Sequence, residues 1–177
     1  MNKKNIILLI IAIIILAISI IFLVFTNKQT AQDSNTVPKS PEIDTELTFL
    51  DDKNKTYKLS DFSDKPIALI LWNSDSENSL DIIQLAQEHY KEYSDSINFL
   101  VVNTKELNAD IQTIVKECNF TIPIYYDTNS IASDIYSFSK LPTLIFFKEN
   151  LEIENKIEST ITEDSFLANL DLITNNY

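Results

Sequence analysis

The segment PIALILWNSDSENSL, residues 66–80, decides how this chain folds, because a purely apolar run here meets the start of a helical pattern. Residues 67–72 are apolar at every position, which is typical of a strand buried on both faces of its sheet. The apolar residues that follow recur at the spacing of one helix face; they are Ile82, Ile83, Ala86, Tyr90 and Tyr93. The segment therefore predicts a strand whose carboxyl end delivers polar side chains to a helix N-terminus.

The polar side chains of this junction admit a structural and a catalytic interpretation. Ser74 and Glu77 have the spacing of a capping box, in which a hydroxyl and a carboxylate satisfy free amides at a helix start, and Ser76 is a competing cap. As a nucleophile, Ser76 would need a general base within hydrogen-bond reach. The single histidine, His89, lies about three turns along the predicted helix. We therefore expect these residues to cap the helix rather than to catalyse hydrolysis.

Strand and helix patterns alternate along the rest of the chain. Residues 48–62 predict a hairpin that turns at residues 51–54, and residues 97–102 predict a second buried strand. Further extended segments are predicted at residues 121–127, 141–147 and 151–158. Apolar residues at helical spacing predict two more helices; they are Ile111, Ile114, Val115 and Cys118 in one and Phe166, Leu170 and Ile173 in the other. Thr160 or Thr162 is expected to cap the last helix.

The composition excludes several classes of function. All 14 basic residues are lysines and the formal net charge is −12, so the surface repels nucleic acid and anionic lipid. A single cysteine, Cys118, cannot form an intrachain disulfide or a multi-cysteine metal site. We expect no cofactor, no metal and no nucleic-acid partner. Cys118 lies on an apolar helix face and predicts a buried, inert thiol, whereas His89 borders an apolar stripe and predicts a satisfied or partly exposed side chain.

The sequence contains no glycine and no arginine beside many isoleucines, asparagines and lysines. This bias is typical of an AT-rich genome and favours a bacterial source. It also has a conformational consequence, because backbone positions with positive φ are normally filled by glycine. We expect asparagine and aspartate, the next most tolerant residues, at those positions.

The apolar run at residues 6–25 predicts a transmembrane signal anchor. It is interrupted only by Ser19, and at about 1.5 Å per residue it spans roughly 30 Å, the thickness of a bilayer's hydrocarbon core. A cleaved signal peptide is the alternative, but residues 26–30 are a poor cleavage site. Lys3 and Lys4 precede the run and favour a cytoplasmic N-terminus with the remainder outside the cell membrane.

Four regions follow from these boundaries. Residues 1–5 form a cytoplasmic N-terminus, and residues 6–25 form the single membrane pass. Residues 26–45 are polar, contain two prolines and lack periodicity, so we expect a disordered linker. Residues 46–177 form the extracytoplasmic domain, in which a βαβ unit implies parallel strands with a right-handed crossover.

The outer domain resembles the membrane-anchored thioredoxin-like proteins of bacteria, the TlpA/ResA type, which are related to the redoxins. The resemblance covers roughly residues 48–173 and is carried by four stretches in the expected order: YKLSDF, PIALILW, FTIPIYYD and LPTLIFF. It implies an α/β, thioredoxin-like fold, with a central mixed sheet flanked by helices and an N-terminal β-hairpin extension. The predicted transmembrane helix precedes this fold.

The resemblance also implies where the site lies. In this family a strand ending in tryptophan, matched by Trp72, leads to a Cys-x-x-Cys motif, and here Ser76 and Ser79 stand in the cysteine positions. Pro142 stands where the family has a cis-proline facing the motif, with Leu141 before it. The candidate binding groove therefore consists of Trp72, Ser76, Leu141 and Pro142.

The chain departs from the family at two further positions. Ile82 stands where the family often has an acid, and Gln84 where it often has a helix-kinking proline. Serine cannot replace cysteine in disulfide exchange or in peroxide reduction, because these reactions need a thiolate and a second sulfur. We therefore predict a degenerate site with no catalytic residues, on a domain that is not expected to be an enzyme.

Three functions remain open for the outer domain. The first is a redox-inactive, membrane-tethered module that binds an extended peptide or an unknown envelope protein. The second is the thiol–disulfide oxidoreductase or peroxiredoxin-like redoxin activity that the family resemblance implies, which the missing cysteine pair disfavours. The third is a structural spacer in an envelope assembly.

Overall fold

The computed structural model describes residues 46–106 and 108–174, and Asp44–Tyr177 forms one compact unit. The predicted N-terminus, anchor and linker, residues 1–5, 6–25 and 26–45, lie outside the described residues. Within the described ranges, no helix has the length and apolar content needed to cross a bilayer.

Seven strands and four helices make up the described domain. The strands are β1 Thr48–Leu50, β2 Thr56–Lys58, β3 Ile67–Trp72, β4 Asn98–Asn103, β5 Ile124–Tyr126, β6 Thr143–Phe147 and β7 Ile153–Glu158. The helices are α1 Ser79–Tyr93, α2 Asn108–Glu117, α3 Ile131–Tyr136 and α4 Glu163–Thr174, and a 3₁₀ helix spans Leu59–Phe62. The order of these elements agrees with the sequence pattern except for α3 and the 3₁₀ helix, which were not predicted.

All seven strands form one mixed sheet in the order β2-β1-β5-β4-β3-β6-β7. β3 pairs with β4 in parallel and with β6 in antiparallel orientation. The parallel pairing of β3 with β4 across α1 confirms the βαβ prediction, and β4 also pairs with β5 in parallel. The hairpin of β1 and β2 extends one edge of the sheet, because β1 is antiparallel to both β2 and β5.

The central strand β3 is buried at all six positions, as its sequence predicts. Its alternate residues enter two different hydrophobic clusters. Ala68, Ile70 and Trp72 pack on one face of the sheet with residues of α1, α2 and α4. Ile67, Leu69 and Leu71 pack on the other face with the hairpin, the 3₁₀ helix and α3. Because side chains of a strand alternate between the two faces, a six-residue apolar run is required when both faces are covered.

Helix α3 is held by a buried carboxylate that precedes it. Asp127 Oδ1 and Oδ2 accept hydrogen bonds from the N–H groups of Ile131 and Ala132, at 3.1 and 2.8 Å. Burial raises the pKa of Asp127, and these amide hydrogen bonds only partly offset that rise. The helix is six residues long, which is too short to produce a recognisable periodic pattern in the sequence.

Two predictions about local structure need correction. Cys118 lies one residue beyond α2 and is half-buried against the core, so the predicted burial of its thiol is wrong.

The residues with positive φ were predicted to be asparagine or aspartate, but the described ones comprise three asparagines, three serines and a leucine: Asn54, Asn78, Asn119, Ser130, Ser137, Ser159 and Leu151. The backbone N–H of each of the four residues that are not asparagine donates a hydrogen bond at its turn.

The start of α4 decides between the two predicted caps. The hydroxyl of Thr162 accepts a hydrogen bond from the N–H of Ser165 at 3.3 Å. This is the side-chain-to-backbone geometry of an N-cap, so Thr162 rather than Thr160 caps the helix.

Candidate functional site

The segment from the end of β3 to the first residue of α1, residues 73–79, is called the serine segment below. The helix begins at Ser79, and the N-cap residue Asn78 has a left-handed backbone with φ 64° and no capping side-chain hydrogen bond. The predicted capping box of Ser74 and Glu77 and the competing cap at Ser76 are therefore wrong. The chain makes a turn here instead, in which the N–H of Ser79 donates to the carbonyl of Ser76.

The serine segment is fastened to the loop that follows β4. The N–H and the hydroxyl of Ser74 both donate to Glu106 Oε1, at 2.8 and 2.7 Å. Asp75 forms an ion pair with Lys105 in the same loop. Burial alone would raise the pKa of Glu106, but hydrogen bonds from Ser74 outweigh it and lower that pKa overall. Glu106 therefore acts as an ionised anchor for a segment 32 residues earlier in the chain.

The two serines in the predicted cysteine positions have different environments. Ser76 is half-buried, and its hydroxyl donates to Asn73 Oδ1 at 2.6 Å. Ser79 is fully buried at the first position of α1, and its hydroxyl has no hydrogen-bond partner among the described residues. Trp72 is fully buried as well, so its ring is not on the surface of a binding groove.

Residues 137–142, called the proline loop below, contain the cis peptide bond Leu141–Pro142, as predicted. Glu158 on β7 fixes this loop, because its Oε2 accepts the N–H of Ser139 at 2.9 Å, the hydroxyl of Ser139 at 2.7 Å and the N–H of Lys140 at 3.2 Å. Its Oε1 pairs with Lys156 Nζ at 2.9 Å. The Lys156 ammonium and these hydrogen bonds lower the pKa of Glu158 to about 2.

The serine segment and the proline loop line one open groove of about 270 Å³. Its lining residues are Asn73, Ser76, Phe138, Ser139, Lys140 and Leu141. Of the four predicted groove residues, Ser76 and Leu141 line it. Trp72 and Pro142 are buried and do not. Phe138, Leu141 and the polar groups of the lining give the groove both apolar and hydrogen-bonding surface.

His89 and Cys118 do not line this groove. His89 Nε2 lies 3.0 Å from Glu163 Oε1, and the imidazole ring packs near Tyr93 and Phe166. His89 is therefore a satisfied side chain between α1 and α4, as predicted. The described residues contain no group of three or more histidine, cysteine or acidic side chains that could hold a metal ion.

No model of a known protein family matches the chain. The chain is 23% identical over 157 residues to the thiol-disulfide oxidoreductase ResA of Oceanobacillus iheyensis, an alignment that covers 86% of this chain and 80% of that protein.

Solved structures show the same architecture. The exposed lipoprotein thioredoxin Etrx1 of Streptococcus pneumoniae superposes with a TM-score of 0.64 at 22% identity, covering 72% of this chain and 98% of that one. StoA of Bacillus subtilis superposes with a TM-score of 0.60 at 18% identity, covering 70% of this chain and 95% of that one. The chain has a thioredoxin-like fold. The predicted resemblance to thioredoxin-like proteins of the ResA type is confirmed.

The two anchoring carboxylates of this thioredoxin-like domain were missed by the sequence analysis. Glu106 and Glu158 meet their partners across 32 and 19 residues, respectively. Helical or strand periodicity reports only neighbours a few positions apart. The sequence offered one signal. Glu106 comes shortly after the predicted strand 97–102, and Glu158 ends the predicted strand 151–158, so both lie near strand ends, where the loops of a sheet meet.

Proposed function

We propose that this chain is a membrane-tethered, extracytoplasmic thioredoxin-like protein whose groove binds an extended segment of another protein without exchanging disulfides. The groove between Ser76 and Leu141 is the observation that supports this proposal. It has an apolar wall, polar groups and an open shape, but its lining contains hydroxyls where the redox reaction would need sulfur. A site of this kind can bind a polypeptide but cannot reduce or oxidise its disulfides.

The chemistry of the serine segment supports a redox-inactive role. Disulfide exchange requires a thiolate to attack and a second thiol to resolve the mixed disulfide. Ser76 and Ser79 supply neither, and Cys118, the single cysteine of the sequence, is not among the groove-lining residues. ResA of Oceanobacillus iheyensis carries the name of a thiol-disulfide oxidoreductase. For the present chain, that activity is the alternative that the following experiment tests.

The activity test uses the full chain in detergent micelles. We expect neither insulin disulfide reduction nor peroxide reduction above a buffer blank, and no change on replacing Cys118→Ala. Thiol-dependent turnover that disappears in the Cys118→Ala variant would overturn the redox-inactive proposal.

The binding test uses a panel of fluorescein-labelled extended peptides and fluorescence anisotropy. We expect at least one peptide to bind, and Leu141→Asp, which places a charge on the apolar wall, to weaken that binding about tenfold or more. Leu172→Asp is the control for the added charge, because Leu172 is an exposed leucine on α4 outside the groove, and thermal unfolding verifies that the variant of the half-buried Leu141 is folded. A groove that binds no peptide favours the spacer function instead.

The membrane tether is supported by the apolar run at residues 6–25 and by Lys3 and Lys4 before it. This arrangement favours a cytoplasmic N-terminus and an exposed outer domain. Protease added to intact protoplasts should therefore digest residues 46–177. Digestion that occurs only after lysis would contradict the orientation, and recovery of the chain in the soluble fraction would contradict the tether.

A further inference from the structure

We infer that the groove selects an extended segment in which an acidic residue lies beside an apolar one, and that Lys140 determines this selection. This inference rests on the proposed peptide-binding function. It concerns the chemistry of the partner, which neither the fold nor the likeness to thioredoxin-like proteins specifies.

The backbone of Lys140 is fixed at the rim of the groove. Its N–H donates to Glu158 Oε2 at 3.2 Å, and its carbonyl accepts a hydrogen bond from the Thr143 hydroxyl. The neighbouring Ser139 is held by the same carboxylate. The ammonium group of Lys140 therefore extends from an ordered backbone, so pairing with a ligand restricts its side chain and does not have to order the loop.

The ammonium of Lys140 is available for a ligand. The side chain is exposed, and among the described residues no carboxylate forms an ion pair with it. This sets it apart from other lysines, such as Lys105 and Lys156, which pair with Asp75 and Glu158.

The acids around the groove do not cancel this positive charge. Asp75 pairs with Lys105 and Glu158 pairs with Lys156. Glu106 is not among the groove-lining residues, and its Oε1 accepts two hydrogen bonds from Ser74. Glu77 is exposed and does not line the groove. The overall charge of −12 acts over distances that physiological salt screens, with a Debye length of about 8 Å. The local cation therefore governs the choice of ligand within the groove.

One further donor of the groove, the side-chain amide of Asn73, remains for a ligand's carboxylate. Asn73 Oδ1 accepts a hydrogen bond from the Ser76 hydroxyl, which leaves the Asn73 Nδ2 amide as a donor. The Ser139 hydroxyl and the N–H groups of Ser139 and Lys140 are already used by Glu158. Next to these polar groups, Phe138 and Leu141 provide an apolar surface that a branched or aromatic side chain can cover.

The test measures three fluorescein-labelled peptides with the full chain in detergent micelles. The peptides share one extended sequence and differ at one position after a central leucine, which is aspartate, asparagine or lysine. We expect the aspartate peptide to bind about fivefold more tightly than the lysine peptide, on the scale of exposed ion pairs. Lys140→Glu should reverse this order, and Lys140→Met should make the aspartate and asparagine peptides equal.

Lys91→Glu is the matched control, because it changes the net charge equally on the exposed last turn of α1, outside the groove. It should leave the order of the peptides unchanged, and thermal unfolding verifies that each variant is folded. If all three peptides bind but Lys140→Glu does not alter their order, this inference is wrong and the peptide-binding function stands. If none of the peptides binds to any variant, the peptide-binding function itself is contradicted, and this inference with it.

Discussion

The serine segment and the proline loop line the same groove, and each is held by a carboxylate. They differ in how far their residues match the family pattern. In the serine segment, the predicted cysteine positions are serines, and the backbone is fastened by Glu106 and Lys105 from the loop after β4. In the proline loop, the cis peptide bond of the family pattern is present, and Glu158 holds three donors of residues 139 and 140. A carboxylate therefore holds the backbone at both walls, although the serine segment carries hydroxyls and no thiol.

The largest expected effect comes from placing two thiols in the serine segment. In a Cys118→Ala background, we expect Ser76→Cys together with Ser79→Cys to form an intramolecular disulfide and to change insulin reduction from none to measurable turnover. A thiol near a helix N-terminus gains acidity, although Ile82 supplies no acid near the pair. Mass spectrometry with thiol alkylation measures the disulfide, and either single cysteine variant is the control.

The result shows whether the turn before α1 places positions 76 and 79 close enough for a disulfide. Ser79 is fully buried and Ser76 half-buried. In the double variant, the cysteine at position 76 can therefore be reached by a substrate, and the buried cysteine at position 79 can resolve the mixed disulfide. A double variant that keeps two free thiols under oxidising conditions would show that the turn at Asn78 holds these positions too far apart.

The second prediction compares the two anchoring acids. Glu158→Gln should increase amide hydrogen exchange at Ser139 and Lys140, because a neutral amide pairs less strongly with Lys156 and offers one acceptor oxygen. Glu106→Gln should increase exchange at Ser74 by a smaller factor, since it accepts from fewer groups. Exchange is measured by NMR or mass spectrometry.

A matched control lies on the same strand as Glu158. Glu154 is also on β7 and pairs with Lys148, away from the proline loop. Glu154→Gln should leave exchange at Ser139 and Lys140 unchanged. Equal effects of the Glu154 and Glu158 variants would mean that β7 as a whole, and not one carboxylate, supports the loop.

The third prediction follows from the lowered pKa of Glu158. A carboxylate whose folded-state pKa of about 2 lies below its ordinary value of 4.5 contributes stability above pH 4.5 and loses it as the pH falls towards 2. The N–H chemical shifts of Ser139 and Lys140 should therefore stay constant from pH 7 to 5 and change only in more acidic solution. In Glu158→Gln this change should be absent, and a midpoint near 4.5 in the unmodified chain would contradict the anchor.

The sequence was most informative where local pattern and tertiary environment agree. The six apolar residues of β3 and the stripe of α1 predicted a doubly covered sheet, because burial on both faces leaves no other composition. The capping box failed because Ser74 found a partner outside its own helix, in Glu106. Helix α3 was not predicted, because the local sequence does not distinguish its buried supporting carboxylate, Asp127, from an exposed acid in a loop. The groove itself depends on contacts across the fold that no local spacing encodes.

The smallest predicted effect concerns the left-handed residues of the two walls, Asn78 with φ 64° and Ser137 with φ 48°. A left-handed backbone costs about 1–2 kcal/mol for most residues, and asparagine tolerates it better than serine does. Glycine removes this strain but costs about 0.5–1 kcal/mol through the flexibility of the unfolded chain. Ser137→Gly should therefore stabilise the domain by about 0.5 kcal/mol.

Asn78→Gly should instead be neutral or slightly destabilising. The asparagine is already suited to its conformation, and its Nδ2 donates to the Thr160 hydroxyl at 3.3 Å, a bond that glycine loses. The free energies of unfolding from urea titrations at equal m-values provide the comparison. Asn78→Ala is the control, because it loses the same hydrogen bond and keeps the strain, so it should cost about 1 kcal/mol more than Asn78→Gly. Equal stabilities of the glycine and alanine variants would mean that the turn before α1 relaxes out of the left-handed conformation, and that the serine segment is less firmly held than the proline loop.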